Sequence, residues 1–188
     1  MSSSVVHMTI NGREQEFLAK PGTSLLSALR ESQGLMAAKR GCAVGSCGTC
    51  SVLVDGQPVM SCLVAVETIQ DATVETLEGL AVDGELDDLQ AAFLEGFATQ
   101  CGFCTSGMIM TARALLERNP DPSKEEVEEA ISGNVCRCTG YEPIVTAILD
   151  GAARRRTRAA TVSVDDAAVV ADAPSATDDE LQWQKAGA

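Results

Sequence analysis

The sequence predicts an α+β protein in which a β-rich part precedes a helical part, and three observations lead to this fold class. Two turn dipeptides, Asn11-Gly12 and Asp55-Gly56, each separate two runs of strand-forming residues, which is the pattern of a β-hairpin. Beyond residue 85 the apolar residues recur at helical spacing instead. The eight cysteines divide evenly between the two parts, so each part carries its own set.

The β-rich part, residues 5–78, is expected to hold two hairpins around one helix. Thr23 or Ser24 can cap that helix, and Gly34 follows its apolar residues. Such an arrangement predicts a small ferredoxin-like sheet. The expected elements are strands at residues 5–10, 14–18, 51–54 and 59–66, and a loop rich in glycine and cysteine at residues 41–50.

The helical part has four predicted helices, which together imply a small bundle. Asn119-Pro120 stops the second helix, and Ser123 followed by Glu126 is a capping box that starts the third. Pro143 fits the first turn of the fourth helix, which is expected to run from Glu142 to Leu149. The apolar face of the first helix comprises Leu86, Leu89, Ala92, Phe93 and Phe97.

These patterns divide the chain into two domains, a linker and a tail. The tail lacks helical periodicity, and we expect it either to be disordered or to wrap a partner subunit with Trp183 as its anchor. Its arginine cluster, Arg154 to Arg158, is expected to form ion pairs with a partner subunit. The expected boundaries are 1–78 for the ferredoxin-like domain, 79–84 for the linker, 85–150 for the helical domain and 151–188 for the tail.

Composition and charge exclude several classes of function. Lys and Arg number 14 against 27 Asp and Glu, so the formal net charge is −13, whereas nucleic-acid binding needs a basic face. No secretory pattern opens the chain, and no apolar run approaches the roughly 20 residues that cross a bilayer. We therefore expect a cytoplasmic protein, associated with the inner face of a membrane only through a complex. Thiols in that reducing compartment stay free or bind metal.

The first four cysteines have the spacing C-x4-C-x2-C-x11-C. Cys42, Cys47 and Cys50 match the plant-type 2Fe–2S pattern, and Cys62, on the returning strand of the second hairpin, completes the set. The glycines of the loop allow its amides to turn towards the sulfurs. Structural zinc sites with four cysteines usually combine two C-x2-C pairs, which this part lacks. A 2Fe–2S cluster is favoured here over zinc or free buried thiols.

The second set consists of a C-x2-C pair, Cys101 and Cys104, and a C-x-C pair, Cys136 and Cys138. Each pair stands just before a predicted helix, whose free amides and positive dipole end favour thiolates and an anionic cluster. The residues by themselves favour a metal site, with a 2Fe–2S cluster as the first choice and zinc as the alternative.

Three ordered motifs surround the cysteines. They are Gly41-Cys42 with Gly45-Ser46-Cys47-Gly48-Thr49-Cys50, then Gln100-Cys101-Gly102-Phe103-Cys104-Thr105, and then Gly133-Asn134-Val135-Cys136-Arg137-Cys138-Thr139-Gly140-Tyr141. These motifs resemble the iron–sulfur subunits or domains of the molybdenum hydroxylases, the family of xanthine dehydrogenase, aldehyde oxidoreductase and carbon monoxide dehydrogenase. The resemblance runs from about residue 5 to residue 150 and includes all eight cysteines.

The resemblance implies a β-grasp ferredoxin domain followed by a four-helix-bundle domain, each with one 2Fe–2S cluster. It also implies a large subunit with a molybdopterin cofactor and a medium subunit with FAD, assembled as a dimer of heterotrimers. Electrons would pass from the molybdopterin site through the helical-domain cluster and then the ferredoxin-domain cluster to FAD. Gln100 and Cys138 would lie against the pterin, Cys138 also as a cluster ligand. The chain would carry no catalytic residue of its own.

Two positions depart from the family pattern, and neither is a ligand. Ser106 replaces a proline common after Cys-Thr, and Asp87-Asp88 stands where His-Pro is frequent. Two other functions remain open at this stage: a free-standing two-cluster ferredoxin and a zinc-stabilised interaction module.

Overall fold

The computed structural model describes residues 3–171 of the chain, and they form an α+β structure whose first half is one five-stranded sheet. Its strands are β1 (Ser4–Ile10), β2 (Arg13–Ala19), β3 (Ser51–Val54), β4 (Gln57–Met60) and β5 (Thr73–Glu75). Both predicted hairpins are confirmed, one from β1 and β2 and the other from β3 and β4. The expected extent of the last strand, residues 59–66, is wrong, because β4 is Gln57–Met60. At the first turn Asn11 and Gly12 both have positive φ, 49° and 75°, which is the backbone that this dipeptide favours.

A short strand absent from the sequence prediction, β5, joins the two hairpins. It runs parallel to β1, where Thr73 lies opposite Thr9, and antiparallel to β3, where Val74 lies opposite Val54. The strand order is therefore β2-β1-β5-β3-β4. Three residues are too few to show an alternating pattern, which is why this strand leaves no signal in the sequence.

Five α-helices accompany the sheet: α1 (Leu25–Ser27), which continues as a π-helical turn (Ala28–Ser32), α2 (Asp88–Glu95), α3 (Thr105–Arg118), α4 (Lys124–Ala130) and α5 (Glu142–Ala171). Ser24 caps α1, and the capping box of Ser123 and Glu126 is confirmed. A second capping box starts α2, where Asp87 accepts the backbone N–H of Gln90. The expectation that α2 extends to Phe97 is wrong, because Gly96 ends the helix and Phe97 has a φ of 52°.

The apolar residues form two cores. One lies between the sheet and the first helix and includes Val6, Leu26 and Val52. The other is built from α2, α3, α4 and α5, and it also takes in Leu53 of β3. Leu53 thus connects the sheet to the helical core, and α3 packs directly against β3.

The expected end of the last helix at Leu149 is wrong, because α5 continues to Ala171 and crosses the expected boundary at residue 150. Alanine and arginine, which dominate residues 152–160, are strong helix formers even without an apolar stripe. Residues up to 155 belong to one compact unit, and the helix beyond them belongs to a second. Trp183 lies outside the described residues.

The first two arginines of the cluster form ion pairs within the chain. Arg154 pairs with Glu95 of α2, and Arg155 pairs with Glu117 of α3. Over residues 3–171, no helix has the length and apolar character needed to span a membrane.

Candidate metal centres

The loop that carries the first three cysteines directs backbone amides at a sulfur. The N–H groups of Val44 and Ser46 donate to Cys42 Sγ at 3.4 and 3.3 Å. Together with the Ser46 hydroxyl, the largest cause, these donors lower the pKa of Cys42 to about 6. The loop therefore stabilises a thiolate, which is the form that binds metal.

Two glycines of this loop leave room that a side chain would fill. A Cβ on Gly41 would lie 2.8 Å from Cys47 Sγ and 2.7 Å from Thr49 Oγ1. Gly45 has a φ of 74°, and a Cβ there would collide with Leu63. A larger residue at Gly41 would therefore crowd the Cys47 sulfur, and one at Gly45 would be strained by its positive φ.

Cys62 lies beyond the end of the returning strand, not on it as expected, because β4 ends at Met60. The chain is held there by Ser61, whose N–H and hydroxyl both donate to the carbonyl of Cys50, at 3.3 and 2.7 Å. This double hydrogen bond brings Cys62 beside Cys50. Burial, followed by the neighbouring Cys62 thiol, raises the pKa of Cys50.

The second set of cysteines converges as two pairs of thiols. The sulfurs of Cys101 and Cys138 are 3.6 Å apart, and both residues are exposed. Cys104 and Cys136 lie beside each other and are buried. Burial raises the pKa of Cys104 to about 12, and the neighbouring Cys136 adds to this effect. Cys104 immediately precedes α3, as the sequence predicted.

A hydrogen-bond network that the sequence analysis missed surrounds Cys136. The hydroxyl oxygen of Thr139 lies 3.1 Å from Cys136 Sγ and accepts the N–H of Tyr141 at 3.2 Å. The Tyr141 hydroxyl accepts the N–H of Cys136 at 3.0 Å. Burial opposes ionisation of Cys136, but the hydroxyl and N–H of Thr139 and the N–H of Cys138 together lower its pKa.

The two cysteine motifs touch each other. The N–H of Val135, next to Cys136, donates to the carbonyl of Cys47 at 2.9 Å. The buried amide of Asn134 donates to the carbonyl of Gly48 at 3.0 Å. The sequence analysis quoted Asn134 within a motif without giving it a role, because such a long-range contact leaves no local signal.

Gln100 is exposed and directly precedes the exposed Cys101. Gln100 and Cys138 are the two residues expected to contact a pterin. Cys101 connects them, because it follows Gln100 in the chain and its sulfur faces that of Cys138. Their contact with a pterin stays a prediction.

The donor set fits a pair of binuclear clusters. A 2Fe–2S cluster is held by four cysteine thiolates, two on each iron. The thiols here meet as the pairs Cys42 with Cys47, Cys50 with Cys62, Cys101 with Cys138, and Cys104 with Cys136.

Comparison with family models finds two iron–sulfur domains along the chain. Residues 8–81 match the 2Fe–2S iron–sulfur cluster binding domain, and residues 76–149 match the 2Fe–2S binding domain. The chain therefore binds two 2Fe–2S clusters.

Curated relatives and solved structures agree with this result. The chain is 46% identical over 148 residues to the nicotinate dehydrogenase small FeS subunit of Eubacterium barkeri, covering 79% of this chain and 94% of the relative. It is 45% identical over 147 residues to the xanthine dehydrogenase iron–sulfur-binding subunit of Escherichia coli, covering 77% and 92%.

The structure resembles a chain of quinoline 2-oxidoreductase from Pseudomonas putida, with a TM-score of 0.80, 46% identity and coverage of 83% of this chain and 97% of that one. It also resembles aldehyde oxidoreductase from Desulfovibrio desulfuricans, with a TM-score of 0.79 and 40% identity, over 81% of this chain and 17% of that longer one. With two cysteine centres, two matching cluster-binding domains and relatives of nearly equal length, the chain belongs to the iron–sulfur subunits of the molybdenum hydroxylase family, and thus to an oxidoreductase complex.

Proposed function

We propose that this chain is the electron-transfer subunit of a heteromeric molybdenum hydroxylase. Electrons from a molybdopterin site on a large subunit enter at the second set of cysteines and leave from the first set to FAD on a medium subunit. A 2Fe–2S cluster accepts and returns one electron at a time, and this chain contributes the thiolates and the surrounding donors. The proposed ligands are Cys42, Cys47, Cys50 and Cys62 for one cluster, and Cys101, Cys104, Cys136 and Cys138 for the other.

The observation that carries this proposal is the direct contact between the two sites. The N–H of Val135 donates to the carbonyl of Cys47, a proposed ligand of the first cluster. Val135 directly precedes Cys136, a proposed ligand of the second cluster. A zinc-stabilised interaction module has no need of such proximity. Two clusters in series do need it, because electrons must pass between them.

Four exposed apolar residues lie close in sequence to the cysteines or to Gln100, two for each site, where partner surfaces would meet them. Near the second site, Leu94 and Phe97 are 60% and 84% exposed, and they precede the exposed Gln100 that we propose to contact the pterin. At the first site, Val44 and Leu63 are 70% and 63% exposed. Aromatic and aliphatic anchors of this kind are typical of buried interfaces. We assign the first pair to the large subunit and the second to the medium subunit.

The finer architecture is part of the same proposal. The sheet forms a β-grasp ferredoxin domain at residues 1–78, and residues 79–84 are the linker. Helices α2 to α4 and the first part of α5, up to residue 155, form a four-helix bundle. The assembly is a dimer of heterotrimers that binds no nucleic acid. All eight cysteines are free of disulfides, which suits a reducing cytoplasm.

Isolation of the chain from its native cells tests the assignment. We expect the large and medium subunits in stoichiometric amounts, with molybdenum and FAD, and two distinct 2Fe–2S signals in the electron paramagnetic resonance (EPR) spectrum after reduction. A monomer with both signals would show a free-standing ferredoxin instead. A colourless, zinc-containing chain would rule out the redox function.

Two cysteine variants test the order of the clusters. Cys138→Ser should abolish the signal of the second cluster and electron flow from molybdenum, while the first cluster remains visible. Cys50→Ser is the matched variant and should abolish the other signal. Unchanged reduction of the acceptor by Cys138→Ser would contradict the proposed order.

A further inference from the structure

The side chain of Thr139 is held in one orientation by its neighbours. Its hydroxyl oxygen accepts the backbone N–H of Tyr141 at 3.2 Å, and the same oxygen lies 3.1 Å from Cys136 Sγ. A hydroxyl has one hydrogen to donate. Since the Tyr141 contact uses a lone pair of the oxygen, that hydrogen remains available for the sulfur.

The backbone around the network is constrained as well. Tyr141 has a φ of 71°, which is uncommon for a residue with a side chain, and its hydroxyl accepts the N–H of Cys136 at 3.0 Å. Tyr141 therefore contacts the segment twice, once through its N–H to Thr139 and once through its hydroxyl to Cys136. The two contacts close a ring that fixes the distance between the Thr139 hydroxyl and the Cys136 sulfur.

The corresponding threonine of the first site is placed differently. Thr49 Oγ1 lies 3.3 Å from Cys47 Sγ, but its hydrogen is donated to the carbonyl of Lys39 at 3.1 Å. A carbonyl is a stronger acceptor than sulfur. At the first site the Thr49 hydroxyl therefore lies near the Cys47 sulfur but does not donate its hydrogen to that sulfur.

We propose that Thr139 is a positioning residue that donates a hydrogen bond to Cys136 Sγ and thereby raises the reduction potential of the second cluster. The proposal rests on the assignment of Cys136 as a cluster ligand. An iron-bound thiolate carries no proton, so the hydroxyl is the donor in this contact. Reduction adds negative charge to the cluster, and a donor at a ligand sulfur stabilises the more negative state.

The test is a redox titration of the intact complex, with each 2Fe–2S signal followed separately by EPR. Thr139→Val keeps the shape of the side chain and removes the hydroxyl. We expect reduction of the second cluster to become less favourable by on the order of tenfold, which equals about 59 mV for a one-electron couple. The potential of the first cluster should not change.

Two further variants separate the hydrogen bond from packing. Thr139→Ser keeps the hydroxyl and should keep the wild-type potential. Thr49→Val removes the other hydroxyl and should shift the first cluster by less than Thr139→Val shifts the second. An unchanged potential in Thr139→Val, or an equal shift in Thr139→Ser, would overturn the proposal.

Iron and sulfide analysis shows whether Thr139→Val assembles the second cluster. If it does not, another variant at the same position takes its place in the test. Thr139→Ala removes the hydroxyl without adding any atoms, and it should also lower the potential of the second cluster. If the wild-type complex itself lacks a second 2Fe–2S signal, the proposed function fails. If both signals are present and no Thr139 variant shifts either one, only this inference fails.

Discussion

Asn134 and Gly48 lie 86 residues apart in sequence, yet the side-chain amide of Asn134 donates to the carbonyl of Gly48 at 3.0 Å. The carbonyl oxygen of the same amide accepts the hydroxyl of Thr111 at 3.1 Å. Asn134 is 5% exposed, so these bonds replace water at both ends of the amide. One side chain therefore links the first cysteine loop, the second cysteine motif and helix α3.

Replacement of Asn134 by alanine should destabilise the chain by about 1–3 kcal/mol, because it leaves the buried Thr111 hydroxyl without its acceptor. It also removes one hydrogen bond from the Gly48 carbonyl, which keeps those from the N–H and hydroxyl of Ser51. Thermal unfolding followed by loss of cluster absorbance measures this change. Asn119→Ala is the control, since Asn119 pairs with the exposed Glu126 and its loss should cost less. Equal destabilisation by the two variants would show that the link does not contribute specifically.

The close approach of α3 to the first loop depends on a residue without a side chain. A Cβ on Gly107 would lie 3.1 Å from Thr49 Cα and closer still to the carbonyl oxygen of Gly48. Both neighbours are backbone, which cannot move aside without shifting the loop. We expect Gly107→Ala to lower the thermal stability and the iron content of the chain.

Gly133→Ala is the matched control for that variant. A Cβ on Gly133 would lie 3.7 Å from the methyl group of Met60, which is ordinary van der Waals contact. Iron and sulfide analysis, together with the unfolding temperature, should place Gly133→Ala near the wild type. A Gly107→Ala chain with full iron content and unchanged stability would disprove the steric argument.

The extended helix α5 is attached to α3 by a shared carboxylate. Glu117 accepts from Arg113 at 3.0 Å and from Arg155 at 2.7 Å, and the hydrogen bond from Arg155 is the largest cause that lowers the pKa of Glu117. A carboxyl group whose pKa is lower in the folded state contributes stability above its unfolded pKa, and this contribution is lost as the pH falls.

Glu117→Gln should therefore destabilise the chain at neutral pH, by up to about 1 kcal/mol for a pair exposed to this extent. The difference from the wild type should shrink as the pH drops below 4.5, the ordinary value for this carboxyl group. Urea unfolding followed by circular dichroism measures it at each pH. Glu129→Gln on α4 serves as the control, and a pH-independent difference for Glu117→Gln would contradict the assignment.

The features predicted correctly from the sequence are those with local causes. Asn11-Gly12 specifies a tight turn whatever surrounds it, and Ser123 with Glu126 starts α4 through contacts within one helical turn. The spacing of the cysteines likewise grouped them into two sets. Each of these features is decided by residues within a few positions of one another.

The features that the sequence did not reveal depend on distant partners. Strand β5 exists because Thr73 pairs with Thr9, and α5 extends past residue 150 with Arg155 bound to Glu117. The contact between the two cysteine motifs, where Asn134 bonds to Gly48, likewise depends on distant partners. No local pattern of charge or hydropathy encodes such contacts, because each one is created by the packing of elements far apart in the chain.

Phe97 combines two features that are unfavourable in an isolated chain. Its φ of 52° lies in the left-handed region, which costs a residue with a Cβ roughly 1–2 kcal/mol, and its side chain is 84% exposed. The backbone needs this conformation, because the N–H of Ala98 turns back to the carbonyl of Phe93 at 3.0 Å and closes the end of α2. Glycine usually occupies such a position, and the exposed ring at this point is consistent with the proposed interface with the large subunit.

Phe97→Gly should consequently change two properties in opposite directions. The isolated chain should gain about 1 kcal/mol of stability, since glycine adopts positive φ without strain. Its affinity for the large subunit should fall at least tenfold, as expected when a central aromatic anchor is removed. Asp83→Gly is the control, because Asp83 is also exposed with a φ of 51° and should leave the affinity unchanged. Reconstitution of the complex from separated subunits measures the affinity, and wild-type binding by Phe97→Gly would remove Phe97 from the interface.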